Sequence, residues 1–433
     1  MRSSHGLRAH RSRPAKAVTE DRLLQVHDAV ARIIAAVRPL GAARVPLLEA
    51  AGRVLATDAI ATVTLPPWDN SAMDGYAARA ADLSTTPITL RVVETIAAGQ
   101  FPSRAIGAGE VTRIMTGAPV PEGADTVIRV EDTDGGVEQV EIRDLRDTAK
   151  HVRPRGEDIH AGAVAIPAGT PLGAAQLGVL ASLGFAEVEV VRRPRVAILT
   201  SGDELVEVTD FAQVRDGKKI VSSNSVTLQA LVRDAGGEPT YLGIARDTPE
   251  SLREHLERAR GYDLLITSAG ISVGEFDFVR DVLVELGAVM NFWRVRMRPG
   301  APIGFGTFAG APWIGLPGNP VSTMVTFELF VRPALRRMAG HDRVFRPVVP
   351  VVLEEPVTIG AGLTHFLRAV VSVESDRRIA RLTGPQGSGI LTSMSLANAL
   401  LIVPADRTRV EAGESLNALL LRDDAALARD FAL

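Results

Sequence analysis

Between Arg195 and Gly340 short apolar runs alternate with stretches of helical spacing, and this alternation constrains the chain more than any other feature. Val196-Ala-Ile-Leu-Thr200, Tyr241-Leu-Gly-Ile244, Asp263-Leu-Leu-Ile-Thr267 and a run around Phe292 to Met297 read as strands. Ser225 to Asp234, Pro249 to Ala259 and Phe276 to Leu286 read as the helices between them, with Gly236 and Gly287 as stops. Repeated β-α-β units of this length predict a parallel sheet with helices on both faces. In such sheets ligands sit beyond the carboxyl ends of the strands.

The flanking regions follow another pattern. A helix is expected from Thr19, with Leu23, Val26, Val30, Ile33 and Val37 on one face and Pro39 and Gly41 ending it. From about Val45 to Val191 short alternating runs such as Val111 to Met115 and Thr126 to Val130 are cut by Gly, Pro and Asp. One helix interrupts them: Thr170 as cap, Pro171 at the first position, Ala174 to Leu183, and Gly184 as the stop. From Phe345 to Leu421 short strands return, most simply as a small β-barrel or sandwich. The 433 residues exceed what one core organises, roughly 250–300. The expected fold is therefore multidomain α/β plus β, with a central parallel-sheet α/β domain over 193–341. A basic tail covers 1–18, a helical and β linker domain 19–60 with 152–192, a β-rich inserted domain 61–151, and a C-terminal β-barrel domain 342–433.

Composition removes several functions. The chain has no cysteine, which excludes disulfides, thiolate metal sites and a thiol nucleophile. Its net charge of −3 advertises neither nucleic acid nor an anionic membrane as partner. Eight scattered histidines without an H-E-x-x-H pattern disfavour zinc, whereas a carboxylate-bound hard cation stays open. No apolar run reaches the ~20 residues that span a bilayer. The opening Arg2, Arg8, Arg11, Arg13 and Lys16 lack an apolar region behind them, so this is no secretory signal and cytoplasm is the expected location.

The strand ends carry the chemistry. Thr200 runs into Ser201-Gly-Asp-Glu204, Ile244 into Ala245-Arg-Asp247, and Ile266 into Thr267-Ser-Ala-Gly-Ile-Ser-Val-Gly274 followed by Glu275 and Asp277. Carboxylates gathered on one rim repel unless a cation neutralises them, which argues for Mg²⁺. The Gly270 to Gly274 loop before a helix suits a phosphate, although a tight strand-to-helix turn needs glycine in any case. Arg294, Arg296 and Arg298 alternate, placing three guanidinium groups on one strand face, either for an oxyanion or to guard an edge strand. Gly315-Leu-Pro-Gly-Asn-Pro-Val-Ser322 leads into a helix with Asn319 as cap and Pro320 first. Pro66-Pro-Trp-Asp-Asn-Ser-Ala-Met-Asp-Gly-Tyr76 reads as a functional loop, and Arg153-Pro-Arg-Gly-Glu-Asp158 as a charged turn.

In this order the segments Asp69 to Tyr76, Met115-Thr-Gly-Ala-Pro-Val-Pro121, Arg155 to Asp158, Thr200 to Glu204, Ser272-Val-Gly274 with Asp277, Gly315 to Pro320 and Gln386-Gly-Ser388 resemble the signatures of molybdopterin molybdenumtransferases of the MoeA and gephyrin E-domain type. The resemblance spans roughly residues 20 to 425. It implies a homodimer of elongated four-domain subunits that inserts molybdate into adenylylated molybdopterin with release of AMP, the pterin being handed over by a molybdopterin adenylyltransferase. It implies that Glu204, Asp247 and Asp277 hold Mg²⁺ and the substrate's pyrophosphate. Arg294, Arg298, Arg368, Ser322 and Ser388 become the candidates for molybdate, and Ser272, Gly274, Pro317 and Pro320 join the substrate-binding set. Asp74, Thr116 and Asp158 match catalytic positions of the other domains, which in such dimers face the partner's α/β domain. Two departures stand out: Ala301 where the family usually has Lys, and Ala269 where it usually has Gly. Tungstate as the oxyanion, a scaffold that anchors peptides, and a dinucleotide-dependent dehydrogenase are the rival readings. The last lacks the glycine fingerprint after its first strand, where Thr200-Ser-Gly-Asp-Glu204 stands.

Overall fold

The computed structural model describes residues 23–270, 278–374 and 377–422, and the chain divides into two compact units. One is Ala43–Val190; the other joins the residues before Ala43 to those from Val191 onward.

In Ala43–Val190 a five-stranded sheet runs in the order Thr126–Arg129, Gly75–Ala78, Glu110–Ile114, Ile88–Ile96, Gln139–Ile142. Strand period two sends Tyr76 and Ala78 into one core with Leu90, Val111 and Ile128, and Ala77 into another with Ile96, Ile114 and Val127. A Cβ at Gly75 would lie 1.9 Å from the Ile128 carbonyl, so this close strand pairing requires glycine. Short two-stranded pieces and the helix Ala174–Ser182 pack around Leu55, Leu172, Leu180 and Val190. That helix is capped by Gly173, whose N–H donates to Gln176 Oε1 over 3.1 Å; Thr170 instead donates its hydroxyl to Pro167. Gly184 at φ +84° stops the helix where expected.

The second unit holds the α/β sheet. Its strands are β1 (Arg195–Ser201), β2 (Glu238–Ala245), β3 (Leu264–Ser268), β4 (Val289–Arg294), β5 (Pro302–Phe308) and β6 (Ala311–Leu316), in the order β2-β1-β3-β6-β5-β4. The first four in that order are parallel, and β3 is buried throughout, as strands covered on both faces must be. Val196 and Ile198 face one core with Leu228 and Val232 of α1 (Ser223–Asp234). Ala197 and Leu199 face the other with Leu252 and Leu256 of α2 (Pro249–Glu257) and Val279 and Leu283 of α3 (Phe278–Glu285).

The sheet is not wholly parallel. Between β5 and β6 the two turn residues Ala309 and Gly310 both take positive φ, +50° and +83°, so the chain doubles back and β5 runs antiparallel to both its neighbours, β6 and β4. Ala-Gly is not one of the strong hairpin pairs, which is why periodicity alone did not show the reversal. The helix expected from Thr19 has its cap outside the described residues and starts at Val26, ending at Ala36. Before it Leu24 is extended and bridges Val295, so this turn of chain is spent on pairing. Ala29, Ile33 and Val37 form its buried stripe.

The C-terminal strands β7 (Val348–Leu353), β8 (Thr364–Glu374), β9 (Arg377–Leu382), β10 (Ala399–Val403) and β11 (Ser415–Leu420) close on themselves in the order β8-β9-β7-β11-β10-β8. Leu367, Ala369, Val371, Leu401 and Ala418 fill this barrel.

Candidate active site

The carboxyl end of β1 sets the geometry. Thr200 Oγ1 lies 3.0 Å from the Tyr241 hydroxyl, which donates to Glu207 over 2.9 Å. Burial, reinforced by Glu207, pushes the Tyr241 phenol up to about 12, so it stays a neutral donor. At Gly202, φ +149°, a Cβ would fall 2.7 Å from Glu204 Oε2; glycine lets the chain turn and bring that carboxylate to the rim.

Three carboxylates gather there. The Asp203 N–H donates to Asp247 Oδ2 over 3.3 Å and the Asp247 N–H to Asp203 Oδ1 over 3.4 Å, a reciprocal clasp between the ends of β1 and β2. Burial holds the Asp247 carboxyl above the usual carboxylate range, and the negative charges of Asp203 and Glu204 add to the rise. Two of the predicted acidic residues, Glu204 and Asp247, are thus brought together. Asp203 was missed, although its place beside Glu204 was a signal. Asp277, Ser272 and Gly274 lie outside the described residues. Among the described residues no three Asp, Glu or His side chains converge closely enough to hold a metal on their own.

Beside this rim opens a cleft of about 400 Å³, lined by Thr200, Glu204, Ser222, Ser223, Asn224, Ser268, Ala269, Gly270, Pro302 and the Pro317 to Pro320 turn. Its polar groups are mainly hydroxyls and amides, set among apolar residues that include Leu205, Ile220 and Val221, and Glu204 is the one charged side chain among its described lining residues. Ala269 sits in the left-handed region at φ +74°, a conformation suited to glycine. Its methyl group lies 3.2 Å from where a Cβ on Gly318 would stand, across the cleft wall.

Of the remaining predicted residues, Pro317 and Pro320 line the cleft. Asn319 does precede the helix α4 (Pro320–Thr326), but its side chain donates to Ser388 Oγ over 3.1 Å instead of capping. The Ser388 carbonyl in turn accepts from the Val321 N–H over 3.1 Å, so the Gln386-Gly-Ser388 turn is tied to the start of α4. Ser322 is buried within α4.

Arg368 takes a bracing role, and the expectation of one arginine-bearing strand face is corrected. Arg368 is fully buried, and its guanidinium donates to Ser393 Oγ (2.9 Å) and to the carbonyls of Gln386 (3.1 Å), Pro385 (3.3 Å) and Gly387 (3.0 Å). A group enclosed and occupied in this way holds the turn that carries Ser388. Arg294, Arg296 and Arg298 do not share a strand face. Arg294 ends β4 in the α/β sheet, Arg296 gives its guanidinium to the Gly362 carbonyl, and Met297–Arg298 pairs in parallel with Thr364 and His365 of the barrel sheet. The strand breaks because the chain passes between two sheets at Val295. Arg294 and Arg298 remain exposed, and neither lines the cleft.

In the Ala43–Val190 unit three separated segments assemble. Ser71 pairs with Ala118 and Gly117 through the backbone, Asn70 and Ser71 pair with Arg153 and Val152, and the Arg155 N–H donates to Asp69 Oδ1 over 2.6 Å. Asp74 accepts from both the N–H and the hydroxyl of Thr116, which hold its carboxyl below the usual range. Asp158 is exposed, fixed by its N–H to the Leu65 carbonyl at 3.1 Å.

Comparison with known proteins gives this arrangement a class. Residues 24–184 match the MoeA N-terminal region (domain I and II), 197–337 a probable molybdopterin binding domain, and 350–421 the MoeA C-terminal region (domain IV). Molybdopterin molybdenumtransferase 2 of Mycobacterium tuberculosis is 40% identical over 406 residues, covering 91% of this chain and 98% of its own length. The molybdopterin molybdenumtransferase of a Nostoc species is 38% identical over 387 residues, covering 87% and 88%. The solved structure of the molybdopterin biosynthesis moeA protein from Pyrococcus horikoshii superposes with a TM-score of 0.79 at 29% identity, over 92% of this chain and 100% of that one. The chain belongs to the MoeA family of molybdopterin molybdenumtransferases. Among the described residues no helix is long and apolar enough to cross a membrane.

Proposed function

We propose that this chain inserts molybdate into adenylylated molybdopterin with release of AMP, as a Mg²⁺-dependent homodimer. The observation that carries the reading is likeness over nine-tenths of the chain to a relative named molybdopterin molybdenumtransferase. It is supported by the cleft at the carboxyl ends of the parallel strands with an acidic rim beside it. Glu204, Asp247 and Asp277 are the residues that would hold Mg²⁺; the set offers only oxygen donors, as a hard cation prefers, and a cation relieves both the burial and the added repulsion that raise Asp247. When bound, such a cation neutralises charge developing on phosphate oxygens as a phosphoanhydride breaks. The neutral hydroxyls of the cleft and the partial positive charge of the α1 N-terminus orient the substrate. The sulfurs that receive molybdenum belong to the pterin dithiolene, so a chain without cysteine can do this work.

A single-turnover assay with adenylylated pterin, Mg²⁺ and either molybdate or tungstate tests the reading. AMP should appear in step with oxyanion insertion and stop when EDTA is added. No AMP with either oxyanion rejects the transferase reading, and equal yields with tungstate would reject molybdate as the preferred oxyanion.

A further inference from the structure

Asn224 stands at the second position of α1, on the wall of the cleft, with 8% of its surface exposed. Its amide is held by the nitrogen end: Nδ2 donates to Ser268 Oγ over 2.9 Å and to the Gly318 carbonyl over 2.8 Å. A carbonyl only accepts, so the Gly318 contact decides which end of the amide is nitrogen. Oδ1 therefore points the other way, and it is buried with no hydrogen-bond partner. Buried acceptors are nearly always paired in folded proteins, so an unpaired one on a residue that lines a binding cleft calls for an occupant. The Ser201 hydroxyl, at the end of β1, is a second buried atom without a partner, close to the cleft residue Gly270.

We infer that Asn224 determines specificity: its Oδ1 accepts a hydrogen bond from the exocyclic amino group of a heteroaromatic ring of the substrate. The inference rests on the reading of the cleft as the site of an adenylylated pterin. A phosphate is unsuited to this position, because its oxygens would face another acceptor, whereas a ring amino group supplies the missing donor. Two rings of that substrate carry such a group, on the 2-amino-4-oxo side of the pterin and the 6-amino side of adenine. Exchanging the amino group for an oxo group turns the donor into an acceptor, and a site built on hydrogen bonding rejects such an exchange strongly.

Equilibrium binding to the full-length chain decides between them. The probes are 6-hydroxymethylpterin against 6-hydroxymethyllumazine, followed by fluorescence, and AMP against IMP, followed by calorimetry. One amino-bearing ring of the two pairs should bind at least about tenfold more tightly than its oxo counterpart, and the pair that discriminates names the ring at Asn224. In Asn224→Leu that preference should shrink below about twofold. Equal binding within both pairs overturns the proposal, leaving Oδ1 to an ordered water. A preference that survives unchanged in Asn224→Leu overturns it as well. Where Asn224→Leu does not fold, Asn224→Ala and Asn224→Ser take its place, with the same loss of preference required. If none of the four compounds binds, the pterin-nucleotide reading of the cleft falls and takes this one with it; ring binding without discrimination sinks only the role of Asn224.

Discussion

Thr116 donates twice to one oxygen of Asp74, its N–H and its hydroxyl each reaching Oδ1 over 2.7 Å. The two residues lie 42 positions apart, yet the pairing fixes an exposed carboxylate in direction and charge. Because the folded pKa is lowered, the pair's contribution to stability is present above the unfolded pKa and is lost as pH falls through the folded one. Thr116→Val keeps the N–H and removes the hydroxyl. The Asp74 titration, followed by carbon NMR of its carboxyl, should move upward but stay below the ordinary value, since the backbone bond is the larger cause. An unmoved titration would deny the hydroxyl its part.

Asp247 behaves in the opposite sense. Its raised pKa means that charging it opposes folding, a penalty absent below the unfolded carboxyl pKa and complete above the folded one. Asp247→Asn should therefore raise the thermal midpoint of the metal-free protein at neutral pH. It should also abolish the upward shift given by Mg²⁺, which for the unaltered chain amounts to about 2.7 kcal/mol at a hundred times Kd. A Mg²⁺ shift retained in full by Asp247→Asn would remove this residue from the metal set.

The bracing role of Arg368 can be tested apart from oxyanion binding. Arg368→Met leaves the carbonyls of Pro385, Gln386 and Gly387 without their donor, and urea unfolding should show a loss of about 1–3 kcal/mol. A stable Arg368→Met variant with only a raised molybdate requirement would restore the direct contact.

Ala269 holds a left-handed backbone that costs an L-residue about 1–2 kcal/mol, partly offset by the ~0.5–1 kcal/mol of chain entropy that glycine loses on folding. Ala269→Gly should thus stabilise the chain by about 1 kcal/mol or less while removing a methyl group from the cleft wall. Calorimetric melting checks the first effect, and pterin affinity the second. A lowered midpoint would show that the methyl's packing outweighs the backbone conformation.

Much of this was legible in order along the chain. Alternating strands and helices marked the α/β sheet, and the segments ending in Glu204 and Asp247 marked its acidic rim, because a strand end must coincide with a change in polarity. The antiparallel return through Ala309 and Gly310 was hidden, since its turn chemistry is weak. Arg294, Arg296 and Arg298 misled for a related reason: a period of two describes one strand face only while the strand lasts, and here it divides between two sheets.

Local sequence determined which segments are strands, which are helices, and where polar residues interrupt them, since these depend on neighbours within a turn or two. Tertiary structure alone decided which charged groups stay available. Arg368 became a buried brace and Asp203 joined Asp247, because burial and hydrogen-bond partners come from residues far apart in the chain. The same holds for Asn224, whose orientation follows from a carbonyl 94 positions away.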